Sequence, residues 1–131
     1  MGEVIHRVNK YKADDAILVT DVGQHQMISW RYFNYKKPRT QVTSGGLGTM
    51  GFALPAALGA QMYDFSRQVI CVVGDGGIQM TIQELGTIMQ TKAPVKIVLL
   101  NNNFLGMVRQ WQQMFFDKRY SFTELDNPDF I

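Results

Sequence analysis

Two short stretches carry residue types suited to holding a metal ion and a phosphate. Gly74-Asp75-Gly76-Gly77 sets a carboxylate among glycines after the apolar run 69–73, and Asn101-Asn102-Asn103 follows the next apolar run, 95–100. If those two runs are strands that pair directly, Asp75 and Asn102 stand about 4.8 Å apart. A carboxylate oxygen and an amide oxygen at that separation suit a hard cation such as Mg²⁺, which takes oxygen ligands and completes its shell with phosphate oxygens and water. The glycines let a phosphate approach backbone N–H groups, and a following helix turns its unpaired N–H groups and positive dipole end toward the same place. Gly-Asp-Gly or Asn-Asn alone is an ordinary turn signal. The pair at matching strand ends is what points to metal plus phosphate.

The elements that must position these residues alternate. Val4, Ile5, Val8 and Tyr11 fall at helical spacing and predict an opening amphipathic helix that breaks near Asp14-Asp15. The run 16–19 reads as a buried strand closing on Asp21-Val22-Gly23, with Gln24 and His25 in the loop beyond it. Residues 29–39 are aromatic and basic without a clean period, and packing against a neighbour is their plain reading. Residues 41–44 form a short possible strand, and four glycines between 45 and 51 precede a small-residue helix over 52–63, where Pro55 falls in the tolerant first turn. After the buried strand 69–73, Thr81-Ile82-Gln83-Glu84 fits a capping box that starts a helix striped by Ile82, Leu85, Ile88 and Met89. The strand 95–100 comes next. Met107, Val108, Trp111, Met114 and Phe115 then share one face of a last helix. Apolar runs separated by helices predict an α/β fold, a doubly wound parallel sheet covered on both sides. In such a sheet the carboxyl ends of the strands share one edge, and ligands bind there.

A chain of 131 residues forms one domain or part of one. With 46% hydrophobic and only 18% charged residues, some of its apolar surface is expected to belong against something else. The net charge of +2, with basic residues scattered apart from Lys36, Lys37 and Arg39, argues against nucleic-acid binding. The single cysteine, Cys71, lies in an apolar run, so no disulfide framework is expected and a reducing compartment fits. No run approaches the roughly 18 apolar residues of a membrane span, and residues 1–12 are too polar for a signal peptide. A soluble, intracellular chain without membrane partners is expected. It stops on Phe130-Ile131 just after a loop signal, which reads as a cut.

A second chemistry competes. Gly46-Leu47-Gly48-Thr49-Met50-Gly51 satisfies G-x-G-x-x-G, and Asp75 stands about where the ribose-binding acid of a dinucleotide-binding module would be. Against it, residues 41–44 are short and polar for the central first strand of such a unit. A ribose-binding acid also has no need of Gly76-Gly77 or of an asparagine pair one strand on.

The Gly74-Asp75-Gly76 and Asn101-Asn102 pair resembles the diphosphate-binding motif of thiamine-diphosphate enzymes. The wider stretches DVGQHQM, TSGGLGTMGFALPAALGAQ, GDGGIQMTIQEL, PVKIVLLNNNFLGMVRQWQQMFF and RYSFTELDNPDF are similar to the catalytic subunits of acetolactate synthases, over residues 21–130. The resemblance implies Asp75, Asn102 and the backbone carbonyl of Phe104 as Mg²⁺ ligands. It implies Gln24, His25, Gly76 and Gly77 at the diphosphate, Gly48 and Met50 at the aminopyrimidine with Met50 beneath the bent cofactor, and Gly106 and Met107 lining the same site. Trp111 matches a tryptophan that shapes the entrance and favours the larger second keto acid.

The same resemblance carries implications for a whole enzyme. The family decarboxylates pyruvate on thiamine diphosphate and joins the remainder to a second 2-keto acid, in branched-chain amino-acid biosynthesis. Its activating glutamate belongs to an N-terminal domain of the neighbouring subunit, and FAD belongs to a middle domain. Neither is matched here, so residues 1–131 read as a thiamine-diphosphate-binding domain incomplete at both ends, with no catalytic residue of its own and no expected activity alone. Expected partners are the remaining domains and a second copy in a homodimer, with room for a regulatory small subunit, in the cytoplasm if the source is bacterial. Two departures stand out. The family commonly has serine or alanine at Gly77, a difference expected to matter little because the backbone N–H does the binding. Ile28-Ser29-Trp30 replaces the usual Trp-Ala, so Trp30 receives no role.

Overall fold

The computed structural model describes residues 1–130; Ile131, the last residue of the expected cut end, lies outside the described residues. The chain runs α1 (Gly2–Tyr11), β1 (Ile17–Thr20), α2 (Gln24–Tyr32), β2 (Gln41–Thr43), α3 (Ala53–Tyr63), β3 (Val69–Gly74), α4 (Asp75–Met80), α5 (Glu84–Thr91), β4 (Lys96–Leu100) and α6 (Gly106–Phe115). The strands form one parallel sheet in the order β2-β1-β3-β4. β3 and β4 pair directly, with Gly74 opposite Leu100, so the residues just beyond each strand are neighbours.

The two-residue period of a strand divides the core. Ile17, Val19, Val69, Cys71 and Val73 pack on one face with Ala53, Leu54 and Ala57 of α3 and Ile78 of α4. Leu18, Ile70 and Val72 pack on the other with Ile5 of α1 and Phe33. Because helices cover both faces at β1 and β3, every position in these strands is apolar except the tips, and all are buried. Among the described residues no helix is long and apolar enough to cross a membrane.

Four local readings are corrected. Gln24 and His25 lie in the first turn of α2, not in a loop. The periodicity of that helix is hidden because its buried face is polar, made of His25, Gln26 and Ser29. Tyr11, expected on the buried face of α1, is 84% exposed. The capping box is absent: the chain makes a separate short α4 directly after β3, and Thr81 Oγ1 donates to the Gly51 carbonyl at 2.9 Å. α5 then begins at Glu84 with no side-chain cap, leaving Met89 of the expected stripe exposed.

Strand order also bears on the dinucleotide alternative. β2, which leads into the glycine segment, is a three-residue edge strand, and β1 lies between it and β3. The Gly46-Gly48-Gly51 fingerprint therefore lacks the central strand that such a module is built on, and the alternative is not favoured.

Candidate functional site

All four strands deliver their carboxyl ends to one edge, where a cavity of about 170 Å³ opens. Its wall takes Gln24 and His25 from the head of α2, and Gly48 and Met50 from the loop after β2. Asp75, Gly76 and Gly77 come from the head of α4, Asn102 and Phe104 from the loop after β4, and Gly106 and Met107 from the head of α6. The eleven residues singled out for cofactor and metal thus surround one space. Trp111 does not: it sits one turn further along α6, 56% exposed, with its ring 4.8 Å from that of Phe115.

Asp75 is 2% exposed, and its two oxygens are used differently. Oδ2 accepts from the Asn103 N–H at 2.8 Å and from Asn127 Nδ2 at 2.7 Å, whereas Oδ1 has no hydrogen-bond donor among the described residues. Asn102 is exposed, and its Oδ1 accepts from the Phe104 N–H at 3.2 Å, which fixes the side chain in a local turn and leaves a second lone pair. Asn103 adopts the left-handed conformation (φ 60°), which asparagine tolerates better than most residues.

His25 packs between two glycines: a Cβ on Gly23 or on Gly74 would come within 3.0 Å of its Cε1. Its Nε2 is buried without a partner among the described residues. Burial lowers the imidazole pKa to about 4, against the opposing pull of the Asp75 charge, so the ring is neutral at pH 7. Gln24 Nε2 donates to Gln110 Oε1 at 2.8 Å, tying α2 to α6 across the mouth, and a Cβ on Gly106 would come 2.5 Å from Gln24 Oε1.

Sequence reasoning gave Asp21 and Asn127 no role. Asp21 is fully buried at the tip of β1, where its carboxylate accepts from the N–H groups of Val22 (2.7 Å) and Gly51 (3.0 Å). Burial raises its pKa, opposed by those N–H groups and by those of Phe52 and Ala53 at the start of α3. A Cβ on Gly77 would collide with Asp21 Oδ2, so the serine or alanine expected to be harmless there needs this anchored carboxylate to move. The local signal for Asp21 is its place where the strand 16–19 closes, ahead of the expected loop. Asn127 has no local signal, because its partners lie 24 to 52 positions away.

These residues fit a magnesium diphosphate. Asp75 Oδ1, Asn102 Oδ1 and the Phe104 carbonyl are hard oxygen donors. The described residues hold no group of three or more His, Cys, Asp or Glu placed to bind a metal, so a cation here would draw on amide and carbonyl oxygens and on the ligand itself. The orphaned His25 Nε2 and the glycine-rich head of α4 offer polar partners for that ligand.

Comparison with known proteins bears on the diphosphate part of this chemistry. Residues 21–131 match the family model "Thiamine pyrophosphate enzyme, C-terminal TPP binding domain". Over 129 residues, 98% of the chain, it is 51% identical to the acetolactate synthase isozyme 2 large subunit of Escherichia coli (strain K12), covering 24% of that protein. It is 50% identical to the acetolactate synthase large subunit of Lactococcus lactis subsp. lactis, covering 22% of it, and 48% identical to the acetolactate synthase of Mycobacterium leprae, covering 21%. In each case 98% of the chain is matched, and it spans about a quarter or less of the relative's length. The family match takes in most of the chain and every residue that lines the cavity from β1 onward, and the chain belongs to the thiamine pyrophosphate enzymes as their C-terminal cofactor-binding domain.

Proposed function

We propose that this chain is the thiamine-diphosphate- and Mg²⁺-binding part of an acetolactate synthase catalytic subunit. The observation that carries the reading is the unequal use of the Asp75 carboxylate, one oxygen tied to protein and the other without a donor among the described residues, at a cavity that Asn102 lines from the loop after the neighbouring strand β4. In this reading Asp75, Asn102 and the Phe104 carbonyl hold the cation. Gln24, His25, Gly76 and Gly77 receive the diphosphate, with His25 acting as a neutral donor or acceptor, so no charge there competes with the cation. Gly48, Met50, Gly106 and Met107 contact the rest of the cofactor, and Trp111 bounds the approach of the second keto acid.

When bound, thiamine diphosphate supplies the carbanion stabilisation that decarboxylation of pyruvate needs. The residues of this chain bind and orient it; the group that activates it belongs to another domain. The whole enzyme would condense pyruvate with a second 2-keto acid in branched-chain amino-acid biosynthesis. It would work in the cytoplasm as a homodimer, with FAD held elsewhere in the subunit and a regulatory small subunit as a further partner. The chain by itself is expected to be inactive.

Calorimetric titration of the chain with thiamine diphosphate, with and without Mg²⁺, tests the binding reading. Binding that requires Mg²⁺, and is lost at least tenfold in Asp75→Ala, is the expected result. Equal binding with and without the cation, or none at millimolar ligand, would sink it.

A further inference from the structure

A feature outside the proposed ligand set ties the cation loop to a distant segment. After α6 the chain returns past its own loop: Leu105 N–H donates to the Thr123 carbonyl and Leu125 N–H to the Asn103 carbonyl, both at 2.8 Å, around an antiparallel bridge between Phe104 and Glu124. Thr123 is buried, and Leu125 reaches the head of α4, where its Cδ1 lies 3.4 Å from the position of a Cβ on Gly76. Arg109 stacks between the rings of Phe104 (4.4 Å) and Tyr120 (3.9 Å), joining the same two stretches from α6. Segment 120–127 is thereby laid across the loop that carries Asn102 and Phe104.

Asn127 stands at the end of this strap and makes the densest set of polar contacts at the site. Its Nδ2 lies 2.7 Å from Asp75 Oδ2, 3.0 Å from Asn101 Oδ1 and 3.0 Å from Asn103 Oδ1, so two hydrogens serve three acceptors. The shortest contact goes to the carboxylate, as a charge-assisted bond should. Asn127 Oδ1 in turn accepts from Gln79 Nε2 at 2.9 Å, and the same nitrogen donates to the Asp75 carbonyl at 3.0 Å. Both ends of the Asn127 amide are therefore anchored, one on the Asp75 carboxylate and one on the helix that begins with Asp75.

From this arrangement we infer that Asn127 is a positioning residue for the cation: it fixes the Asp75 rotamer by holding Oδ2, presents Oδ1 to the metal, and aligns the two asparagines that flank Asn102. The inference rests on the reading of Asp75 and Asn102 as Mg²⁺ ligands. Its physical basis is the intolerance of Mg²⁺ for loosely placed oxygens, since the ion demands near-octahedral geometry at short distances. A carboxylate bonded through one oxygen to a fixed amide has lost the rotation that would spread it over several positions. Outer partners of this kind commonly govern metal affinity as strongly as tenfold or more. Binding is reciprocal, so the cation must also hold the strap down.

The test is a Mg²⁺ titration of the 131-residue chain at saturating thiamine diphosphate, comparing wild type, Asn127→Ala and Gln79→Met, with the melting temperature of each measured without ligands. Asn127→Ala is expected to weaken Mg²⁺ about tenfold or more, and Gln79→Met, which leaves the Asn127 amide in place but loosens it, a few-fold. In the wild type, Mg²⁺ with thiamine diphosphate should slow amide hydrogen exchange at Asn103, Leu105 and Leu125, and Asn127→Ala should abolish that slowing. If Asn127→Ala melts earlier yet binds Mg²⁺ within twofold of wild type, the residue only staples a surface segment and the inference falls. Should Asn127→Ala not fold, Gln79→Met carries the same decision, with affinity within twofold of wild type as the overturning result. A wild-type chain whose uptake of thiamine diphosphate ignores Mg²⁺ overturns the ligand assignment itself, and the inference with it. A Mg²⁺-dependent wild type with unaffected variants overturns the inference alone.

Discussion

β3 and β4 are neighbours with mostly apolar sequences, VICVVG and KIVLL, yet every residue of β3 is buried and none of β4 is. The difference is position in the sheet. β3 has a strand on each side and helices on both faces, while β4 is one of the two edge strands, and apolar grooves flank it. Ile82, Leu85, Ile97 and Leu99 line one groove; Val4, Val8, Ile70 and Val98 line the other. The striped face of α6 is likewise open, with Val108, Trp111, Met114 and Phe115 each more than 40% exposed. The proposed site straddles this boundary. Asp75 and His25 rise from the packed half, and Asn102, Phe104 and Gly106 from the open half, where polar ties such as those of Asn127 replace core packing.

The largest effect that would sharpen this contrast belongs to the packed half. Leu54 is fully buried in the first turns of α3, in the core cluster that holds Val19, Val69 and Cys71. Leu54→Ala is expected to cost about 2–5 kcal/mol, the loss of transfer energy plus a cavity that rigid neighbours on a central sheet cannot close. Urea unfolding measures it. A cost below about 1 kcal/mol, outside the range for such a truncation, would mean that α3 is not seated as described.

Next comes the pH dependence of His25, at the tip of the same half. Its folded pKa is about 4, and the unfolded chain takes up the proton near 6.5. The unfolded state thus gains protons first as pH falls, and stability present above pH 6.5 is lost progressively down to about 4, by about 3 kcal/mol in full. Asp21 works in the opposite sense. Its folded pKa is raised above 3.8, so its contribution is fully present below 3.8 and is lost as pH rises through the folded value. Comparing wild type with His25→Gln removes the Asp21 part, because both proteins share it. The difference in unfolding free energy should shrink or change sign between pH 6.5 and about 4; parallel profiles over that range would exclude a buried neutral imidazole.

Legibility in the sequence respects the same boundary. Strand 69–73 is legible because a central strand with both faces covered must be apolar without interruption, and 95–100 is legible because only Lys96 breaks its apolar run; the parallel order then brings the segments that hold Asp75 and Asn102 to one edge. The difference between β3 and β4 was not legible: an edge strand and a central strand read alike when the edge keeps its apolar residues. α2 escaped the periodicity test because its buried face is His25, Gln26 and Ser29. Thr81 was misread since a capping hydroxyl and one that donates to a carbonyl thirty positions earlier look the same in a row of letters. Asn127 shares that difficulty. Its meaning lies in contacts with Asp75, Asn101 and Asn103 that no window of local sequence contains.

The smallest effect is the one that could break the comparison. Ile97, near the start of β4, is 36% exposed, and its side chain lines an open groove. Truncation to alanine removes surface that is already partly in water and leaves no closed cavity, so Ile97→Ala is expected to cost no more than about 1 kcal/mol in dilute solution. The measurement is the same urea unfolding, repeated over a wide range of protein concentration. A cost as large as that of Leu54→Ala, growing with concentration, would mean that another molecule covers β4 in solution. The two halves would then differ in what buries them, a helix of the same chain on one side and a neighbour on the other, and no longer in whether they are buried.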